Sequence, residues 1–178
     1  MVLHLLARLF GGSSTQALDA GAPAPPFTLK DVDGKSYSLG EALQQGPVLL
    51  AFFKVSCPTS QFTLGFLERV FQALQGRATP QVWAISQDDA RETRSFAREY
   101  GLSFPMLLEE DGYPVSNNYG LTSTPTLFLV RSDGSIQLAS VGFVRRDIEK
   151  VAAELGRRTG QTIPVFLRGE SIPDYKPG

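Results

Sequence analysis

Nothing in this chain constrains its fold as tightly as PVLLAFFKV, Pro47 to Val55. From Val48 to Phe53 the run holds no polar residue, so a strand made of it has no face that water can wet. Such a strand belongs inside a sheet covered on both sides. The period then changes. From Thr59 to Gln75, Phe62, Phe66, Val70 and Leu74 recur every four residues, with Leu67 and Phe71 beside them. That spacing predicts a helix with one stripe facing the core. Between strand and helix stand Cys57, the only cysteine of the chain, and Pro58.

The other elements are read in the same way. GAPAPPF (Gly21–Phe27) is a proline-stiffened linker leading into the fold. FTLKDVDGKSYSL places two short alternating runs around Asp33-Gly34, the pattern of a hairpin. Gln81–Ser86 is a second strand. Asp89 followed by Glu92 opens a helix that runs to Tyr100 and stops at Gly101. FPMLLEE predicts a third strand and PVSNNYG a short helical turn. TLFLV and IQLASVGF flank Ser132-Asp133-Gly134 as another hairpin, and RRDIEKVAAELGRR closes with an amphipathic helix. A hairpin, then βαβαβ, then ββα implies an α/β domain over residues 25–160, a mixed central sheet flanked by helices. Residues 1–24 then form an N-terminal extension and linker. IPVFLRGESIPDYKPG has too many prolines for an element, so residues 161–178 are expected to pack on the surface as a tail.

Composition removes several function classes. A chain of 178 residues, 42% apolar, is enough for one domain with a real core. Seventeen basic against eighteen acidic residues leave no field to hold nucleic acid by its phosphates. A single cysteine excludes an intrachain disulfide and a cysteine zinc site. The single histidine, His4, stands near the N-terminus, which argues against a histidine triad or metal cluster. Glu109, Glu110 and Asp111 are adjacent in a loop, where side chains diverge, so a solvated turn is expected there and no metal site. Trp83, Phe62, Phe66 and Phe71 are expected in the core. No span of 18 apolar residues exists to cross a membrane as a helix. Arg8 interrupts MVLHLLARLFGG, which is shorter than a usual signal-peptide core and reads as an amphipathic docking turn. The cytoplasm is the default location, with export through this stretch as the alternative.

Cys57 carries the chemistry. Pro58 suits a first helical position because it has no N–H to leave unpaired. The free amides and dipole of the following turn favour a thiolate, the nucleophilic form. Ligand crevices of open α/β sheets also lie at the carboxyl ends of strands. Taken alone, these residues suit a reactive thiol and a small packing residue about equally.

From about Pro25 to Leu155 the chain resembles the alkyl hydroperoxide reductase/thiol-specific antioxidant family and its thiol-disulfide oxidoreductase relatives, a thioredoxin-like redoxin group. FTLKDVDGKSYSL resembles the N-terminal hairpin of that group. FAREYGLSFPMLLEEDGYPVSNNYGLTSTPTLFLVRSDGSI resembles its central insertion, Thr-Pro turn and last hairpin. The resemblance implies a thioredoxin-like fold. It makes Cys57 the attacking cysteine, Thr124-Pro125 a cis-proline turn facing it, and Pro58, Thr59 and Thr124 contacts for substrate. It implies no cofactor. The expected partners are protein or small-molecule thiols and disulfides, or hydroperoxides, with an external reducing thiol.

Departures from the family pattern sharpen the reading. Where many such oxidoreductases carry Cys-x-x-Cys, this chain has Cys57-Pro58-Thr59-Ser60. A dithiol releases its mixed disulfide through its own second thiol, which a hydroxyl cannot do. Three accounts of Ser60 stay open: a one-cysteine enzyme resolved by an external thiol, a domain that has left redox work, or an engineered serine replacing cysteine to trap an intermediate. Cys57-Pro58-Thr59 also resembles a peroxiredoxin site, so a one-cysteine thiol peroxidase with an antioxidant role is the nearest alternative. Peroxiredoxins usually have threonine three residues before the cysteine and proline seven before it, and here those positions are Lys54 and Leu50. Disulfide exchange is therefore favoured. The buried aspartate of thioredoxin falls at Ala51. Lys54 is the candidate for tuning the sulfur, with a stem packed along the sheet as the alternative. A redox-inert peptide-binding domain is the reading from another class.

Overall fold

In the computed structural model, which describes residues 16–77 and 79–178, the hairpin around Asp33-Gly34 forms from β1 (Thr28–Lys30) and β2 (Ser36–Ser38). Gly34 sits at φ +86°, a conformation that a Cβ opposes, which is why glycine closes the turn. A helix not anticipated from the pattern follows, α1 (Leu39–Leu43). The Glu41 amide donates to Ser38 Oγ at 3.4 Å, the N-cap half of a capping box, and the Ser-x-x-Glu spacing of Ser38 and Glu41 could have been read.

The apolar run becomes β3 (Val48–Phe53), every residue of it buried. It is shorter than Pro47–Val55. Lys54, Val55 and Ser56 leave the sheet in a turn that the Cys57 amide closes by donating to the Lys54 carbonyl, 3.2 Å. Then come α2 (Pro58–Leu74), β4 (Gln81–Ser86), α3 (Ala90–Glu99), β5 (Met106–Leu108) and α4 (Pro114–Asn118). The chain continues through β6 (Thr126–Val130), β7 (Ile136–Val141), β8 (Phe143–Val144) and α5 (Arg145–Thr159).

The central sheet has the order β5-β4-β3-β6-β7. β3, β4 and β5 run parallel, and β6 and β7 are added antiparallel. Alternation along β3 divides its side chains between two apolar clusters. Leu49, Ala51 and Phe53 pack with α2, α3 and α5 through Leu67, Phe96 and Val151. Val48, Leu50 and Phe52 pack on the other face with Phe27, Trp83 and Tyr119. Burying a large apolar side chain contributes roughly 1.5–3 kcal/mol, so this strand anchors both layers. Phe66 and Trp83 are buried as expected, while Phe62 and Phe71 lie half-buried at the core margin.

The tail departs from the expectation of an element-free segment. Ile163 and Val165 enter the core, and Tyr175–Lys176 forms β9, antiparallel to β8. Its prolines limit this strand without preventing it, since Pro173 and Pro177 stand outside the two paired residues. MVLHLLARLFGG, with His4 and Arg8, lies outside the described residues. Among the described residues no helix is long and apolar enough to cross a membrane.

Candidate active site

Residues far apart in sequence meet because β3 and β6 are antiparallel. Phe52 pairs with Thr126, so the end of one strand and the start of the other share one edge of the sheet. Cys57 follows the first and Thr124-Pro125 precedes the second. The Cys57 thiol donates to the Thr124 carbonyl at 3.1 Å. The Thr124–Pro125 peptide bond is cis.

Locally, Cys57 is the N-cap of α2, with Pro58 as the first helical residue. Its backbone is extended (φ −87°, ψ 114°), and its sulfur accepts from the Ser60 amide at 3.4 Å. That is the role a serine or aspartate oxygen plays at other helix starts. The turn before it is held by two residues that sequence reasoning missed. The Val55 amide donates to Asp88 Oδ2 at 2.7 Å, and Gln61 Nε2 donates to the Val55 carbonyl at 3.0 Å. Neither has a sequence signal, because each acts on the main chain of a residue it does not resemble. A third is Gly142, whose amide donates to the Pro125 carbonyl at 2.8 Å.

Opposed influences act on the half-buried sulfur. Burial, the largest, pushes the Cys57 thiol up. Against it act the Ser60 hydroxyl, the Ser60 amide, the Thr124 side chain and the Thr59 amide, and together they bring the pKa below the ordinary thiol value. The bond to the Thr124 carbonyl is available only to the protonated sulfur, so it favours the thiol and the donors must also overcome it. Ser60 is fully buried, and its hydroxyl makes no hydrogen bond of ordinary geometry. It lies close enough to the sulfur to favour the thiolate as a nearby donor.

The structure thus gathers Cys57, Pro58, Thr59, Ser60, Thr124 and Pro125 around one point. Lys54 contributes its carbonyl to the turn, as described above, and the groups that lower the pKa of the sulfur are hydrogen-bond donors. Buried Thr59 donates through Oγ1 to the Pro177 carbonyl at 2.6 Å, bringing the tail to the site. Glu109 faces inward, away from the expected solvated turn. Its carboxylate accepts from the Val115 amide (2.8 Å), the Ser116 amide (3.1 Å) and the Ser116 hydroxyl (2.7 Å), and so caps α4. Glu110 and Asp111 are exposed.

A model of the AhpC/TSA family matches residues 20–139. The chain belongs to the AhpC/TSA family. It is 26% identical over 136 residues to the thiol-disulfide oxidoreductase ResA of Halalkalibacterium halodurans, an alignment covering 76% of each chain. It is also 26% identical over 136 residues to the thioredoxin-like protein YneN of Bacillus subtilis, covering 75% of this chain and 78% of that one. Among solved structures, the thioredoxin domain of a thiol-disulfide oxidoreductase from Bacteroides vulgatus superposes with a TM-score of 0.68 at 20% identity, over 78% of this chain and 98% of that one. A thiol-disulfide oxidoreductase from Bacteroides fragilis gives a TM-score of 0.65 at 18% identity, over 77% and 99%. At these identities the structural likeness is one of fold, and the fold of this AhpC/TSA member is thioredoxin-like.

Proposed function

We propose that this protein is a thiol-disulfide oxidoreductase in which Cys57 attacks and an external thiol completes the cycle. The observation that carries this reading is the sulfur at the start of α2, among donors that favour its thiolate and 3.1 Å from the Thr124 carbonyl. The relative from Halalkalibacterium halodurans is a thiol-disulfide oxidoreductase, which supports the same chemistry. In the first step the Cys57 thiolate attacks one sulfur of a disulfide. A new S–S bond forms, the old one breaks, and the departing thiolate takes a proton from solvent. In the second, one external thiolate attacks the Cys57 sulfur of the mixed disulfide and releases the substrate's other thiolate. Another attacks the resulting adduct, frees Cys57 and leaves an external disulfide, so that two electrons pass from a pair of thiols to the substrate. Ser60 cannot attack; its role is to donate to the thiolate. Peroxide reduction is disfavoured because Leu50 and Lys54 occupy the positions where peroxiredoxins carry proline and threonine.

Mass spectrometry of a Cys57 mixed disulfide with a small thiol tests this. The adduct is expected to persist until external thiol is added, whereas Ser60→Cys should release the partner unaided and form an intrachain disulfide. Equal release from both proteins would remove the mechanism. Faster oxidation of Cys57 by hydrogen peroxide than by disulfides would favour the peroxidase.

A further inference from the structure

The tail returns to the site along a chain of defined contacts. Arg69 of α2 donates to the Val165 carbonyl (2.9 Å) and, through two nitrogens, to the Glu170 carboxylate (2.8 and 2.6 Å). Phe166 packs edge-on against Phe66, with ring centres 4.9 Å apart. The Arg145 amide donates to the Asp174 carbonyl at 2.9 Å, and β9 pairs Tyr175 with Val144 and Lys176 with Phe143. Pro177 accepts from Thr59 on the first turn of α2.

The approach is closest at two glycines. A Cβ on Gly142 would lie 2.5 Å from the Lys176 carbonyl oxygen. A Cβ on Gly178 would lie 2.5 Å from the Thr124 carbonyl oxygen, the atom that accepts the Cys57 thiol, and 3.0 Å from Ser123 Oγ. Main chain therefore lies against β8, the first turn of α2 and the cis-proline turn at once. This is the arrangement of an extended peptide bound by strand addition, where backbone hydrogen bonds supply affinity for many sequences.

We propose that residues 174–178 are a tethered occupant of the substrate groove: the partner of Cys57 is an extended polypeptide that adds to β8 as β9 does, and the tail must leave before it can. This rests on the reading of Cys57 as an attacking thiol. It adds an occupant that must be displaced and a restriction on shape, since the narrow passage beside Gly142 and the Thr124 carbonyl admits only a small residue next to the reacting sulfur.

Lys176→Pro and Gly178→Val displace the tail in different ways. The first removes an amide at the position paired with Phe143, and the second places a side chain against the Thr124 carbonyl. Circular dichroism and thermal melts first establish that each variant is folded. Exchange of Cys57 with an activated peptide disulfide should accelerate at least about tenfold in both, as expected when the competent state rises from a minor to a major population. Alkylation by iodoacetamide, which needs no strand groove, should change less than about twofold. Unchanged peptide exchange in a folded variant overturns the proposal. Hydrogen exchange on the unaltered protein decides independently of any substitution. A peptide disulfide adduct at Cys57 should expose the amides of Tyr175 and Lys176, and undiminished protection there overturns the proposal. If iodoacetamide leaves Cys57 unmodified in every folded form, it is the oxidoreductase reading itself that falls.

Discussion

Ser60 is a buried hydroxyl that makes no hydrogen bond of ordinary geometry and acts on the Cys57 sulfur as a nearby donor. Ser60→Ala keeps the amide that reaches the sulfur and deletes the hydroxyl, so burial should gain on the remaining donors and the Cys57 pKa should rise. Titration of thiolate absorbance measures this, and alkylation at neutral pH should slow with it. The same shift has a stability consequence of definite sign. A thiol whose folded pKa is depressed stabilises the fold fully above its ordinary range and loses that contribution as pH falls through the folded value. Urea midpoints should therefore climb with pH between the two values, and Cys57→Ser should flatten that part of the curve. Residue types alone left Cys57 divided between a reactive thiol and a packing residue, and it was the resemblance to the redoxin group that singled out Cys57, Ser60 and Pro125 in the sequence. What Lys54 gives the site is a carbonyl, which every residue type possesses, so no reading of side chains could find it.

Strand and helix identities followed from periodicity, because an apolar run and a four-residue stripe each admit few alternatives. Their ends were less legible. β3 stops at Phe53, and the turn after it is decided by Asp88 and Gln61, which follow Val55 by thirty-three and six residues respectively. Asp88→Ala should leave the Val55 amide without its acceptor and cost about 1–3 kcal/mol, measured by urea denaturation. Glu109→Ala should cost about as much, since α4 has no side-chain cap from its own N-cap residue, Tyr113, and depends on that carboxylate. If instead either variant matched the unaltered protein, water would be serving these amides equally well.

Across the whole molecule, α2 carries the sulfur at its start and holds the tail further along through Arg69. The guanidinium holds the Glu170 carboxyl at about 2, well below the ordinary 4.5. The pair is therefore at full strength above the ordinary value and fades only as pH falls towards the depressed one. Glu170→Gln should weaken this clamp at neutral pH, raising hydrogen exchange across residues 165–178 several-fold while leaving β3 and β4 protected. The tail's route was hidden from the sequence because it is fixed by long-range partners and by prolines that merely bracket a short strand. The geometry at the sulfur has one more consequence. The Lys54 carbonyl, the Ser60 amide and the Thr124 carbonyl are all main-chain groups. Inheritance acts on side chains, so a contact made by the backbone persists through replacements that keep the local path of the chain. A reactive centre framed in this way can drift in sequence while its shape stays fixed, which is how relatives sharing about a quarter of their residues can retain one architecture.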